Sequence, residues 1–164
     1  MKKKHIIILT AALVLAAAAV TALIVININP PDAQTASGGP AVTVGTVTAK
    51  PGDTVQVPVS YTGNPGTMGV QLEIEYDGEA LTYLGYDRGD IISDCEVSET
   101  NGKLTLIGIN DNDTDKNGTL IYLNFKVGDS ASGKTEIKLG SSILSNYNEE
   151  TINAEFKNGG VTVE

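Results

Sequence analysis

The chain has 164 residues and carries 20 Asp and Glu against 11 Lys and Arg, a net charge of −9. That is enough sequence for one domain, and its acidic balance argues against nucleic acid as a partner. It has one histidine, His5, one cysteine, Cys95, and no tryptophan, which excludes histidine triads, histidine-bearing zinc sites and an intrachain disulfide from the folded part.

Met1-Lys2-Lys3-Lys4-His5 is followed by Ile6 to Ile28, whose only polar side chains are Thr10, Thr21 and Asn27. About 20 apolar residues suffice to cross a bilayer, and the lysines put the N-terminus in the cytoplasm and everything after the segment outside. Val20-Thr21-Ala22 offers a small-residue cleavage site. Cleavage there leaves the apolar start Leu23-Ile24-Val25-Ile26, so a retained signal-anchor is expected, with a cleaved, secreted form as the alternative. Residues 29–40, rich in Pro, Gly and small polar residues, read as a linker. From Ala41 onward there are 19 acidic and 8 basic residues, a net of −11, suited to a soluble domain at the cell surface.

The rest reads as strands. Ala41 to Ala49 alternates weakly, and Lys50-Pro51-Gly52-Asp53 is a turn. Thr54 to Tyr61 points Val55, Val57, Val59 and Tyr61 to one side; Pro58 lacks an N–H, which predicts an edge position or a bulge. Met68 to Tyr76 is the clearest two-faced strand. Val70, Leu72, Ile74 and Tyr76 face one way and Gln71, Glu73 and Glu75 the other, the period of a strand with one buried face. Leu81 to Tyr86 follows, then an irregular stretch to Ile92. Asn101-Gly102 between Cys95–Thr100 and Lys103–Asn110 predicts a two-residue hairpin, since both residues readily take positive φ. Gly118 to Val127, Gly133 to Leu144 and Gly159 to Val163 complete nine strands, and no helical period survives past Pro40. The fold class is therefore all-β, a monomeric two-sheet sandwich of jelly-roll or immunoglobulin-like topology.

No catalytic set emerges, and carboxylate pairs such as Glu73 and Glu75 read as a solvated face. Tyr83, Tyr86, Tyr122 and Tyr147 are the only rings eligible for a sugar platform. Asp113, Asp115 and Asn117, with Gly118, match the first half of a calcium loop. The twelfth position falls on Asn124, and a strand follows where a helix should, so a polar turn is the expected reading and no metal is assigned. Arg88-Gly89-Asp90 spells an adhesion tripeptide.

Val44-Gly45-Thr46-Val47, Gly52-Asp53-Thr54-Val55-Gln56-Val57-Pro58-Val59, Leu72-Glu73-Ile74-Glu75-Tyr76-Asp77, Gly89-Asp90-Ile91-Ile92 and Phe156-Lys157-Asn158-Gly159-Gly160-Val161-Thr162-Val163 occur in the order and spacing of a cohesin domain. The resemblance covers Ala41 to Glu164. It implies a nine-stranded jelly roll that is not an enzyme and that binds dockerin modules of cellulosomal enzymes or scaffoldins, with calcium held by the dockerin. It further implies that the dockerin meets the sheet built from Cys95–Thr100, Met68–Tyr76, Lys103–Asn110 and Gly133–Leu144. Gly69, Gln71, Glu73, Glu99, Leu106, Gly108, Asn110 and Asp111 are the partner-binding residues it suggests, with Leu106, Gly108 and Asn110 taken as outward. The best-known class of cohesins has Asn and Asp where this chain has Gly69 and Gln71, which leaves the dockerin class open. A carbohydrate-binding or adhesion sandwich is the alternative.

Overall fold

The structure is a computed structural model and describes residues 38–164. The leader, expected as one N-terminal hydrophobic helix, and most of the linker lie outside the described residues. Among the described residues no helix is long and apolar enough to cross a membrane.

Among the described residues twelve strands form two sheets. They are β1 (Ala41–Val44), β2 (Thr46–Ala49), β3 (Thr54–Thr62), β4 (Thr67–Tyr76), β5 (Leu81–Arg88), β6 (Asp94–Thr100), β7 (Lys103–Thr114), β8 (Gly118–Val127), β9 (Gly133–Leu139), β10 (Ile143–Ser145), β11 (Glu155–Lys157) and β12 (Gly159–Val163). One sheet has the order β11-β1-β3-β8-β5; the other runs β2-β12-β9-β4-β7-β6, with β10 also paired to β4. The expected all-β, two-sheet architecture holds, and the strand count differs for local reasons.

Ala41–Ala49 divides at Gly45 because the chain changes sheets there. The Gly45 N–H donates to the Pro58 carbonyl at 2.7 Å, and its own carbonyl accepts from the Gly160 N–H at 3.0 Å. The same departure accommodates Pro58. It lies in β3, an interior strand, and β1 pairs with β3 only as far as Val44 opposite Val59. The missing proline N–H thus falls where no neighbour needs it; a bulge follows at Val59/Ser60. Gly133–Leu144 also divides. β9 and β10 both lie beside β4, interrupted at 140–142, where the Gly140 N–H donates to the Glu73 carbonyl at 2.7 Å. β11 is a short addition to the sheet edge.

The predicted hairpin is present, with Asn101 at φ 52° and Gly102 at φ 78° joining β6 to β7. That left-handed pair matches the right-handed twist of the two strands. Between the sheets lies a core of Val, Leu and Ile around Tyr61 and Phe125. Phe125 packs against the rings of Tyr76 and Tyr83 at centroid distances of 5.0 and 5.8 Å. Because one side of each strand feeds this core, the other side of the β10-β4-β7-β6 sheet is left as an outer surface.

Candidate partner-binding face

β4 supplies the frame. Val70, Leu72 and Ile74 are buried, while Gln71, Glu73 and Glu75 are exposed. Gly69, Gln71 and Glu73 therefore lie on the outer surface, near the middle of the sheet. On β7 the register decides the rest: Gln71 is opposite Ile107, Leu72 opposite Leu106, Val70 opposite Gly108 and Gly69 opposite Ile109.

That register corrects the expected placement of Leu106, Gly108 and Asn110, which are turned inward. Leu106 is fully buried. A Cβ on Gly108 would collide with Ile92 Cδ1 and approach Cys95 Cβ at 3.4 Å, so the residue is glycine for core packing. Asn110 is a buried brace. Its Oδ1 accepts the Ser93 N–H at 2.7 Å, and its Nδ2 donates to the carbonyls of Ile91 at 3.3 Å and Thr67 at 3.4 Å, tying the loop after β5 to β4 and β7. The physical reason for the misreading is that β7 is apolar at both parities, with Leu104 and Leu106 on one side and Ile107 and Ile109 on the other. Alternation then cannot say which side faces the core.

Glu99 is displaced as well. It falls on the parity of Val97 and Cys95, the inward side of β6, and its Oε1 accepts the Tyr76 hydroxyl at 3.3 Å and the Gly102 N–H at 3.0 Å. It braces the hairpin end. Asp111 is exposed in a wide bulge where Asn110–Asp113 oppose only Met68; such bulges bend a strand and re-aim its side chains.

The outward residues of this sheet are consequently different from those expected on β7. Ile107 is 61% exposed, Ile109 52% and, on β10, Ile143 52%. Two cross-strand rows run over the surface: Ile143, Gln71, Ile107, Glu96 and, beside it, Ser145, Gly69, Ile109, Asp94. Three half-exposed isoleucines on one face form an apolar centre of the kind that marks an interaction surface. Ile143 was legible only as part of a longer strand, and the two β7 isoleucines only with the correct parity. Tyr147, 66% exposed, extends the surface past β10. Its N–H donates to Asp113 Oδ1 at 2.7 Å, and Asn146 Oδ1 accepts the N–H groups of Asn148 and Glu150, so the loop carrying the ring is held by hydrogen bonds.

Two side chains of the acidic loop hold backbone groups. Besides that bond from Tyr147 to Asp113, Asn117 Oδ1 accepts the Asn64 N–H at 3.0 Å. Among the described residues no group of three or more His, Cys, Asp or Glu side chains is placed to hold a metal ion. In Arg88-Gly89-Asp90, the Arg88 guanidinium donates to the Ser93 carbonyl, and Asp90 Oδ1 accepts the Thr119 N–H at 3.0 Å, so the tripeptide is laid against β8. Of the other tyrosines, Tyr83 packs on Phe125 with its hydroxyl buried, which pushes its pKa up to about 12. The Tyr86 hydroxyl donates to the Cys95 carbonyl at 2.8 Å, and Tyr122 is half-buried.

Charge is distributed unevenly over the face. At one end Lys103 Nζ lies 2.7 Å from Glu75 Oε1 and Lys138 Nζ 3.4 Å from Glu136 Oε2. The Lys103 ammonium holds the Glu75 carboxyl below its ordinary range. At the isoleucine end Asp94, Glu96 and Asp111 are exposed and, like Glu73 between the two ends, make no ion pair among the described residues.

Comparison with known proteins agrees with this architecture. The sequence is 35% identical over 98 residues to Cellulose-binding protein A of Clostridium cellulovorans, a match that covers 55% of this chain and spans 5% of the length of that relative. The structure superposes on the sixth cohesin of scaffoldin B from Acetivibrio cellulolyticus, solved with a mutant Cel5 dockerin. The TM-score is 0.73 and the identity 25%, over 77% of this chain and 100% of that one. The seventh ScaB type I cohesin of Pseudobacteroides cellulosolvens gives 0.68 at 26% identity, over 77% and 92%. The family model for the cohesin domain matches residues 40–163, and with both sheets in place, the chain belongs to the cohesin family.

Proposed function

We propose that this domain is a non-catalytic interaction module that captures a dockerin on the outer face of β10, β4, β7 and β6, and so holds a dockerin-bearing enzyme or scaffoldin. The observation that carries the reading is the apolar centre of the outer face: Ile107, Ile109 and Ile143 exposed around Gly69 and Gln71, in a chain of the cohesin family. Desolvating three isoleucines supplies the driving force for a helical partner laid across the sheet. Calcium belongs to the dockerin in this reading. Residues 6–28 anchor the domain at the outer surface of the cell, with the N-terminus in the cytoplasm, residues 29–40 serve as the spacer and residues 41–164 act as a monomer.

The test is titration calorimetry of the full chain, in non-ionic detergent, against a panel of calcium-loaded dockerins and against cellulose and xylan. Saturable binding to a dockerin and none to the polysaccharides is the expected result. Polysaccharide binding with no dockerin bound would replace the reading with a carbohydrate-binding or adhesion sandwich. Release of the whole domain from intact cells, with a new N-terminus near Leu23, would refute the anchor.

A further inference from the structure

We infer that the outer face holds a notch over Gly69, walled by Ile143, Ile109 and Tyr147, that receives one aliphatic side chain of the partner. This rests on the dockerin reading above and adds which side chain the face selects for.

The row Ser145, Gly69, Ile109 supplies the floor and one wall. A Cβ on Gly69 would stand 2.7 Å from Ser145 Oγ. The serine hydroxyl thus lies beside the glycine, and the β10 and β4 positions of this row carry no bulky group. One row away Ile143 stands opposite Gln71, two residues or about 7 Å along β10 from Ser145. Ile109 closes the β7 side. Beyond Ser145 the chain runs on to Tyr147, so the low ground is bounded by side chains that are 52%, 52% and 66% exposed. The Tyr147 wall is held in place. Its N–H donates to Asp113 Oδ1 on β7, the Asn146 N–H donates to the Glu150 carbonyl at 3.1 Å, and Ser145 pairs with Thr151. A ring presented by a loop already fixed loses little conformational freedom when a partner covers it. The walls are hydrocarbon and aromatic. A charged side chain placed among them would lose water with no counter-charge in contact, alanine would leave the walls unfilled, and a branched aliphatic side chain buries both itself and them. If Gly69 served only to seat β10 beside β4, filling it would change stability and leave the partner's choice of side chain untouched.

The experiment takes the calcium-loaded dockerin that binds the full chain most tightly in the panel above and changes each contact-helix position in turn to Ala, Ser, Leu and Lys. Titrated against the unaltered full chain in detergent, one position should favour Leu over the other three by roughly tenfold. Gly69→Val/Ser145→Ala fills the notch and should reverse the order of Leu and Ala at that position, and the smaller filling Gly69→Ala/Ser145→Ala should narrow it. Tyr147→Ala, which removes a wall, should cut the preference by more than half. Ser145→Ala alone should keep it, as should Leu84→Ala, an exposed leucine on β5 of the other sheet. Melting temperatures report folding of every variant. No position favouring Leu, or an order of side chains unchanged by Gly69→Val/Ser145→Ala, or by the smaller filling should the larger not fold, overturns the notch and leaves dockerin capture standing. Binding of no dockerin by the unaltered chain overturns both.

Discussion

Replacing Ile107 and Leu106 by alanine, one at a time, separates the outer face from the core at a single step along β7. Leu106 is 0% exposed and Ile107 61% exposed, so neighbouring residues should fail in opposite ways. Leu106→Ala removes buried methyl groups and leaves a cavity, which costs about 2–5 kcal/mol of stability; at roughly 4 °C per kcal/mol for a domain of this size, the melting temperature should fall by about 8–20 °C. Ile107→Ala should shift it by a degree or two. Fully burying an isoleucine is worth about 1.5–3 kcal/mol, so covering the exposed part of Ile107 is worth about 1–2 kcal/mol. Since about 1.4 kcal/mol is a factor of ten, Ile107→Ala should weaken dockerin binding roughly 5- to 30-fold. Thermal melts and titration calorimetry with one dockerin read both quantities. If Ile107→Ala melts early and binds normally, while Leu106→Ala melts normally and binds poorly, β7 is slipped by one residue and the assignment of the face is wrong.

Further outcomes follow from the inward side of the same strand. Gly108→Ala should lower stability by about 1–3 kcal/mol, because the added Cβ meets Ile92 Cδ1 in a filled space; denaturant titration reads the loss, and Ile92→Ala should relieve part of it. Asn110→Ala should cost about 1–3 kcal/mol by leaving the buried carbonyls of Ile91 and Thr67, and the Ser93 N–H, without their partner, and amide exchange at Ser93 should accelerate. Burial pushes the Cys95 thiol above its ordinary pKa. Its alkylation at pH 8 should therefore be slower than that of the denatured chain, and the folded-state rate should keep rising at pH values where the denatured thiol has already levelled off.

Alternation in Met68–Tyr76 was legible because its outward positions are polar and its inward positions apolar, so composition alone says which side is wet. The Asn101-Gly102 hairpin was legible for a similarly local reason, since few residue pairs tolerate φ of 52° and 78°. The identity of the face on β7 was not local information. Leu104, Leu106, Ile107 and Ile109 satisfy either parity, and only the hydrogen-bonded pairing of Leu72 with Leu106 and Gln71 with Ile107 selects which isoleucines reach solvent. Ile143 likewise joined the surface only because the chain breaks between β9 and β10 and returns to β4 opposite Gln71. Side-chain period records that a strand has two sides; which side another strand, or a partner, will cover is decided by pairing between segments distant in the chain.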